Sequence, residues 1–321
     1  MDALVLTNPD SKALQWGTPV QARAKLNLSL TVLDKRIDGF HEIDTVMVAL
    51  SLADELTFHR QNEPGISLIC SDPGIPSDSS NLVWRAAQTL AEASGLTPAL
   101  RIELVKRIPA GGGLGGGSSD AAATLIALNR LWQLDYTVEQ LHETAARLGS
   151  DVPFFLYGGA ARCTGRGERV EALNLNVKQE LVLVLPPVHV STAIVYRHYQ
   201  PDAGRAKQSQ QRVNRAIEQQ DLGRLLSEPV NDLLVPCEKA FPEIAGIKSQ
   251  LEALSLAPVG LCGSGAGLFL PAPDRLHAQQ WVRRITEDGI APSLCVTLDS
   301  IRQPAGATAS AGQMEPHHAD H

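Results

Sequence analysis

The chain has 321 residues, 44% hydrophobic and 20% charged, which suits one large domain or two of ordinary size. Its formal net charge of −7 excludes a general nucleic-acid binder, which carries a basic excess, and no apolar run reaches signal-peptide or membrane-span length. The five scattered cysteines show no CxxC spacing, so they indicate neither zinc nor a disulfide framework but a reducing, cytoplasmic setting without a membrane partner.

Residues 1–18 have no clear period and read as a loose arm. From Val20, Ala24, Leu26, Leu28, Leu30 and Val32 alternate with Arg23, Lys25, Asn27, Ser29 and Thr31, the period-2 pattern of a half-buried strand. "RIDGFHEIDTVMVAL" reads as a turn and a second strand, with "DELTFHR" and "GISLIC" as further strands. "SSNLVWRAAQTLAEASG" predicts a helix with a Ser/Asn start, apolar Leu82, Ala86 and Leu90, and Gly95 as its stop. "ALRIELVKRIP" is a strand ended by Pro109.

Six glycines then fall in the seven positions 111–117, followed by Ser118, Ser119 and a helical pattern. Ala121, Leu125, Leu128 and Trp132 give that helix one apolar face, and Ser118 or Ser119 is its expected cap. A second helix starts at the capping box of Thr137 and Gln140 and stops at Gly149. "SDVPFFLYGGAARCTGRGE" reads as a turn and short strands. Residues 180–187 form a buried strand opening a second domain, and a helix starts at Ser191 or Thr192. Residues 200–220 read as a polar connection. Helical patterns follow through "FPEIAGIKSQLEALS", then a strand–turn "PVGLCGSGAGLFL" and a helix "DRLHAQQWVRRITEDG". The expected division is an arm over 1–18, domains over 19–178 and 179–303, and a disordered tail over 304–321.

Ordering a glycine costs more conformational entropy than ordering any other residue, so six together call for a close backbone approach or a slack linker. A P-loop requires a lysine here, and there is none. GxGxxG is satisfied by Gly111, Gly113 and Gly116, with Asp135 at dinucleotide-fold spacing. However, Asp135 falls between two predicted helices rather than at a strand end, which disfavours a nucleotide-binding oxidoreductase. What fits is a strand, a proline, a glycine loop and a helix N-terminus, whose backbone N–H groups and positive dipole make a phosphate cradle.

In "PAGGGLGGGSSDAA" the chain resembles the GHMP kinases, which bind ATP phosphates on such a loop, and the resemblance extends over about residues 22–302. It implies an α+β, two-domain fold: an ATP-binding domain and a smaller C-terminal α/β substrate domain. The implied activity is that of an ATP-dependent alcohol phosphotransferase with Mg²⁺. The loop residues Pro109, Gly111, Gly112, Gly113, Leu114, Gly115, Gly116, Gly117, Ser118 and Ser119 would hold ATP, with Asn81 and Lys106 near the adenine. The Ser118 or Ser119 hydroxyl, at the helix start, is the candidate metal contact. Asp151 in "LGSDVPFF" matches the family's general base, and Lys25 in "AKLNLSL" its catalytic lysine. "DGFHEIDTV", "NLVWRAA", "STAIVY" and "CGSGAGLF" resemble the branch whose small-molecule acceptor carries a cytidyl diphosphate. There Phe40 and Tyr196 would stack on the pyrimidine, His41 would read its edge, and Asn27, Thr192, Gly263, Ser264 and Gly265 would hold the rest. The alternative acceptors are those of mevalonate or homoserine kinases. A monomer or weak homodimer is expected.

Overall fold

The computed structural model describes residues 14–174, 178–221, 223–299, 307 and 308. The alternating run at the start becomes β1 (Val20–Lys35), which turns at Asp38-Gly39 into β2 (His41–Arg60). The strand expected over "DELTFHR" is the far end of that one 20-residue strand. β3 (Gly65–Cys70) and α1 (Leu82–Ser94) follow, the helix capped by Asn81 and ended by left-handed Gly95 as its sequence signals predict. β4 (Ala99–Val105) leads into the glycine loop and α2 (Gly116–Leu131). α3 (Val138–Leu148) carries the expected capping box, and Asp135 lies in the turn before it. α4 (Val152–Tyr157) was not expected: five of its six residues are buried, so tertiary packing makes a helix where the string read as a turn.

β5 (Ala160–Gly165), β6 (Arg169–Leu173) and β7 (Lys178–Val184) complete the first half and open the second. α5 (Thr192–His198) precedes α6 (Ala203–Glu218). The latter replaces the polar connection expected over 200–220, because Ala206, Ser209, Val213 and Ala216 supply a narrow buried stripe that its Gln, Arg and Lys content masks. Then come α7 (Gly223–Ser227), β8 (Val230–Asn231), α8 (Leu234–Ala240), α9 (Pro242–Ala253), β9 (Gly260–Leu261), β10 (Leu268–Ala272) and α10 (Arg275–Glu287). β11 (Ser293–Asp299) and β12 (Ala307–Thr308) end the described chain.

The architecture is α+β. β1 and β2 anchor one sheet, with β4 and β5 on β2, β3 on β4, and β6 on β5. β7 is flanked by β10 and β11 in the other. β2 and β11 join the two, though at a single ladder position, Leu50 with Leu298. The two sheets nevertheless share a core: Leu26, Leu28 and Leu50 pack in one cluster with Leu181, Leu183, Phe269 and Val296. Each fully buried leucine there contributes about 1.5–3 kcal/mol, so this shared cluster holds the two halves together.

Two expectations at the ends are corrected within the described residues. Residues 14–18 are not loose: Leu14 and Trp16 pack on the first core, Arg60 lies 5.1 Å over the Trp16 ring, and Gly17 donates to Phe58 O at 2.8 Å. Ala307 and Thr308, in the expected tail, pair with Gln21 and Val20 of β1. The rest of the arm and tail lies outside the described residues. Among those residues, no helix is long and apolar enough to cross a membrane.

Candidate active site

β1 departs from its sequence pattern in the way that builds the site. Its alternation predicts a solvated polar face, yet Lys25, Asn27, Ser29 and Thr31 are all buried. The β1–β2 register shifts between Arg23 and Lys25 and again between Asn27 and Ser29. Such irregularities unpair backbone groups and re-aim side chains. The first leaves Lys25 N–H free to donate to Leu114 O at 2.9 Å, which docks the glycine loop onto the strand. Between the two shifts, Lys25 Nζ donates to Asn27 Oδ1 at 2.6 Å and to Gly113 O at 2.9 Å. Asn27 Nδ2 donates to Thr45 Oγ1 at 2.8 Å, which orients the amide.

Asp151 Oδ2 stands 3.5 Å from Lys25 Nζ. Asp151 occupies the N-cap position of α4 without making a side-chain cap bond. Its carboxylate is therefore not consumed by capping and is a third exposed, while the Lys25 side chain is only 4% exposed. A buried ammonium holding a solvent-reachable carboxylate in place suits proton acceptance beside a reacting group.

The glycine loop alternates its backbone, with Gly111, Gly113 and Gly115 at φ of 75°, 70° and 71°. A side chain is excluded at two of them on contact grounds as well. A Cβ at Gly113 would lie 2.0 Å from Cys262 O, and one at Gly115 would lie 2.9 Å from Phe155 Cζ. Left-handed Gly115 starts α2 three or four residues earlier than expected, so neither Ser118 nor Ser119 caps it; no side chain does. Both serines sit in its first turn, and the buried Ser119 hydroxyl has no partner among the described residues. The turn "CGSGAG" packs on the loop, with Ala266 N–H donating to Gly111 O at 3.0 Å. Asn231, which no sequence motif pointed to, pins that turn through Gly263 O at 2.8 Å.

Two cavities share Gly113 and Gly115 in their walls. The smaller, 280 Å³, runs along the loop and is lined by Pro109, Leu114 and the six glycines, with Asn81, Lys106 and Asp120. Ser118 and Ser119 do not line it. Asn81 spends its side chain on the α1 cap and on Pro76 O, so only its edge borders the cavity. Lys106 is not a free flank of an adenine pocket. Its ammonium is held between the carboxylates of Asp54 and Asp120, the latter at 2.7 Å. Burial works against that charge, but the two carboxylates outweigh it and hold the Lys106 ammonium above its ordinary range. Burial pushes the Asp120 carboxyl up to about 7, against the pull of Lys106.

The larger cavity, 940 Å³, is lined by Lys25, Asn27, Asp151, Phe40, His41, Thr192, Tyr196, Gly263 and Ser264. Gly265 lies outside it, buried under the loop, where a Cβ would come 3.0 Å from Cys237 Sγ. His41 and Tyr196 stack at 5.1 Å between ring centroids, 26° apart. Burial, and then the charge of Lys35, lower the His41 pKa, so its ring is neutral near pH 7 with one donor and one acceptor nitrogen. Phe40 is half exposed and carries the Arg166 guanidinium 5.2 Å above its ring. Arg166, Asp54 and Asp120 were missed in the sequence. Arg166 lies in "TGRGE" with no pattern to distinguish it. Asp54 interrupts an apolar strand face and Asp120 follows the serines directly, and each of those is a readable signal.

Residues 81–159 match the model of the GHMP kinases N terminal domain. A relative from Pelotomaculum thermopropionicum, 4-diphosphocytidyl-2-C-methyl-D-erythritol kinase, is 43% identical over 82% of this chain and 92% of its own length. The crystal structure of a 4-(cytidine 5'-diphospho)-2C-methyl-D-erythritol kinase superposes with a TM-score of 0.71. It is 36% identical, over 88% of this chain and 99% of the other. Homoserine kinase from Cytophaga hutchinsonii shares the fold at a TM-score of 0.70 and 19% identity, over 92% of this chain and 98% of its own. The extent of the first two matches, together with the glycine loop and the Lys25–Asp151 pair, places the chain in the 4-diphosphocytidyl-2-C-methyl-D-erythritol kinase family of the GHMP kinases.

Proposed function

We propose that this kinase transfers the γ-phosphoryl group of ATP to the 2-hydroxyl of 4-diphosphocytidyl-2-C-methyl-D-erythritol. The observation that carries the reading is that the two cavities share Gly113 and Gly115 in their walls, with the Lys25–Asp151 pair lining the larger one. ATP phosphates fit the smaller cavity, because the α2 N-terminus and the loop present backbone N–H groups and a positive dipole there. The acceptor hydroxyl enters from the larger side. As its oxygen bonds to phosphorus and the bond to the ADP oxygen breaks, its proton passes to Asp151. Lys25 keeps that carboxylate placed and stabilises the charge that develops.

Mg²⁺ fits without a dedicated cage. It takes few protein ligands when it arrives on phosphates, and no group of three His, Cys, Asp or Glu side chains is gathered among the described residues. Ser118, in the first turn of α2, is the candidate contact. Ser118 would hold the ion there, and the chemistry it would supply is neutralisation of phosphate charge. All five cysteines are free thiols, in keeping with a cytoplasmic enzyme.

Stacked His41 and Tyr196 offer an aromatic wall and a hydrogen-bonding edge suited to a cytosine. Mevalonate and homoserine have no base to place there. ATP consumption measured with the cytidyl acceptor, mevalonate and homoserine tests the reading. Turnover is expected on the first alone, and turnover on either of the others instead would overturn it. His41→Ala should raise KM for the cytidyl acceptor about tenfold, the worth of one or two lost contacts, and leave KM for ATP unchanged. A raised ATP KM would move His41 to the nucleotide side.

A further inference from the structure

The buried charges behind the glycine loop suggest a task that neither the cradle nor the transfer step performs. Asp54, on β2, is wholly buried. It accepts backbone N–H bonds from Arg107 at 2.5 Å and Ile108 at 2.8 Å, the residues entering the loop. It also binds the Lys106 ammonium, which reaches across to Asp120 on α2, just past the loop's exit. Lys106 and Asp120 are fourteen positions apart, and the six glycines lie between them. A Cβ built on Gly116 would stand 3.3 Å from Lys106 Nζ, so the ammonium lies directly beneath the start of the helix. We infer that Asp54 and Asp120 are positioning residues that use Lys106 as a cross-tie, clamping the two ends of the phosphate loop before nucleotide arrives.

Desolvating three charges costs about what their attraction returns, so the cluster contributes little net stability. Its effect lies in placement. A loop with six glycines that ordered only on binding would spend binding energy on its own conformational entropy, and a clamped loop does not. Lys106 and Asp120 also border the nucleotide cavity, so the clamp lies against the space it shapes.

This inference rests on the loop being the ATP site, and the experiment separates the two. Asp54→Asn would strand buried donors and is a poor probe. Lys106→Met with Asp120→Leu removes the tie but leaves the Asp54 carboxylate on its two backbone donors without a counter-charge, so a thermal melt must first show this variant folded, and Asp120→Asn carries the test where it is not. Amide hydrogen exchange over residues 111–117 in the nucleotide-free protein should quicken about tenfold in that double variant. ATP affinity by calorimetry should fall about tenfold, with KM for the acceptor within about twofold. Asp120→Asn, which keeps shape and the Asp54–Lys106 pair, should quicken exchange by about threefold. Unchanged exchange in both variants would overturn the cross-tie. So would weaker ATP binding with unchanged exchange, since Lys106 would then act by touching nucleotide itself. If the wild-type protein failed to bind ATP, the kinase reading would fall while the exchange difference still reported the clamp.

Discussion

Asp151→Asn is expected to lower kcat about 10²–10⁴-fold, the range for removing a positioned general base. The substitution keeps size and shape, and the carboxylate it replaces makes no cap bond to α4, so thermal stability should change little. Lys25 is not stranded by the change, because Asn27 Oδ1 and Gly113 O still accept from its ammonium. The KM values for ATP and acceptor should therefore stay within a few-fold, and the loss should fall on kcat. Steady-state kinetics with each substrate varied in turn reads the split. Near wild-type turnover would remove Asp151 from the chemistry and leave it a loop-end aspartate.

That residue also shows what the sequence can and cannot reveal. An aspartate after a glycine stop and before Val-Pro carries the local signature of a helix cap. Only the folded chain shows that the cap is not made and that Lys25, from a strand 126 positions earlier in the chain, stands 3.5 Å away. The glycine loop was the legible part, because its strand, proline and helix context is local. Its details were less so: Gly115, not a serine, sits at the start of α2, since a left-handed glycine can turn the chain there without a hydroxyl.

The polar side of β1 was misread for a related reason. Period-2 alternation reports which residues differ in polarity, not whether both sides are covered. In β1 the polar side faces the loop and the larger cavity, so Lys25 and Asn27 are buried against backbone rather than solvated. The same blindness hid the pairing of Lys106, expected beside the adenine but balanced by Asp54 and Asp120 from two other elements. α6 was lost because its buried stripe is built of Ala, Ser and Val, which carry little hydrophobic signal in a window of Gln, Arg and Lys. Buried pairing between distant segments has no local pattern to read.

Lys25→Met should lower kcat about 10²–10³-fold, the cost of removing one preorganised donor from a developing charge, and should weaken ATP binding less. Methionine keeps most of the aliphatic stem, and that stem backs the loop: a Cβ on Gly115 would lie 3.0 Å from Lys25 Cγ. What is lost is the ammonium, which joins three parts of the site, namely Gly113 O of the glycine loop, Asn27 of β1 and Asp151 before α4. Because Lys25 N–H still holds Leu114 O, the loop remains docked on the strand after the side chain changes. Nucleotide affinity measured by calorimetry should thus change by less than about tenfold, while single-turnover phosphoryl transfer slows by the larger factor. The opposite pattern, with ATP affinity collapsing and transfer intact, would make Lys25 a phosphate anchor. It would also detach Asp151 from the only cation that approaches it within 4 Å among the described ion pairs.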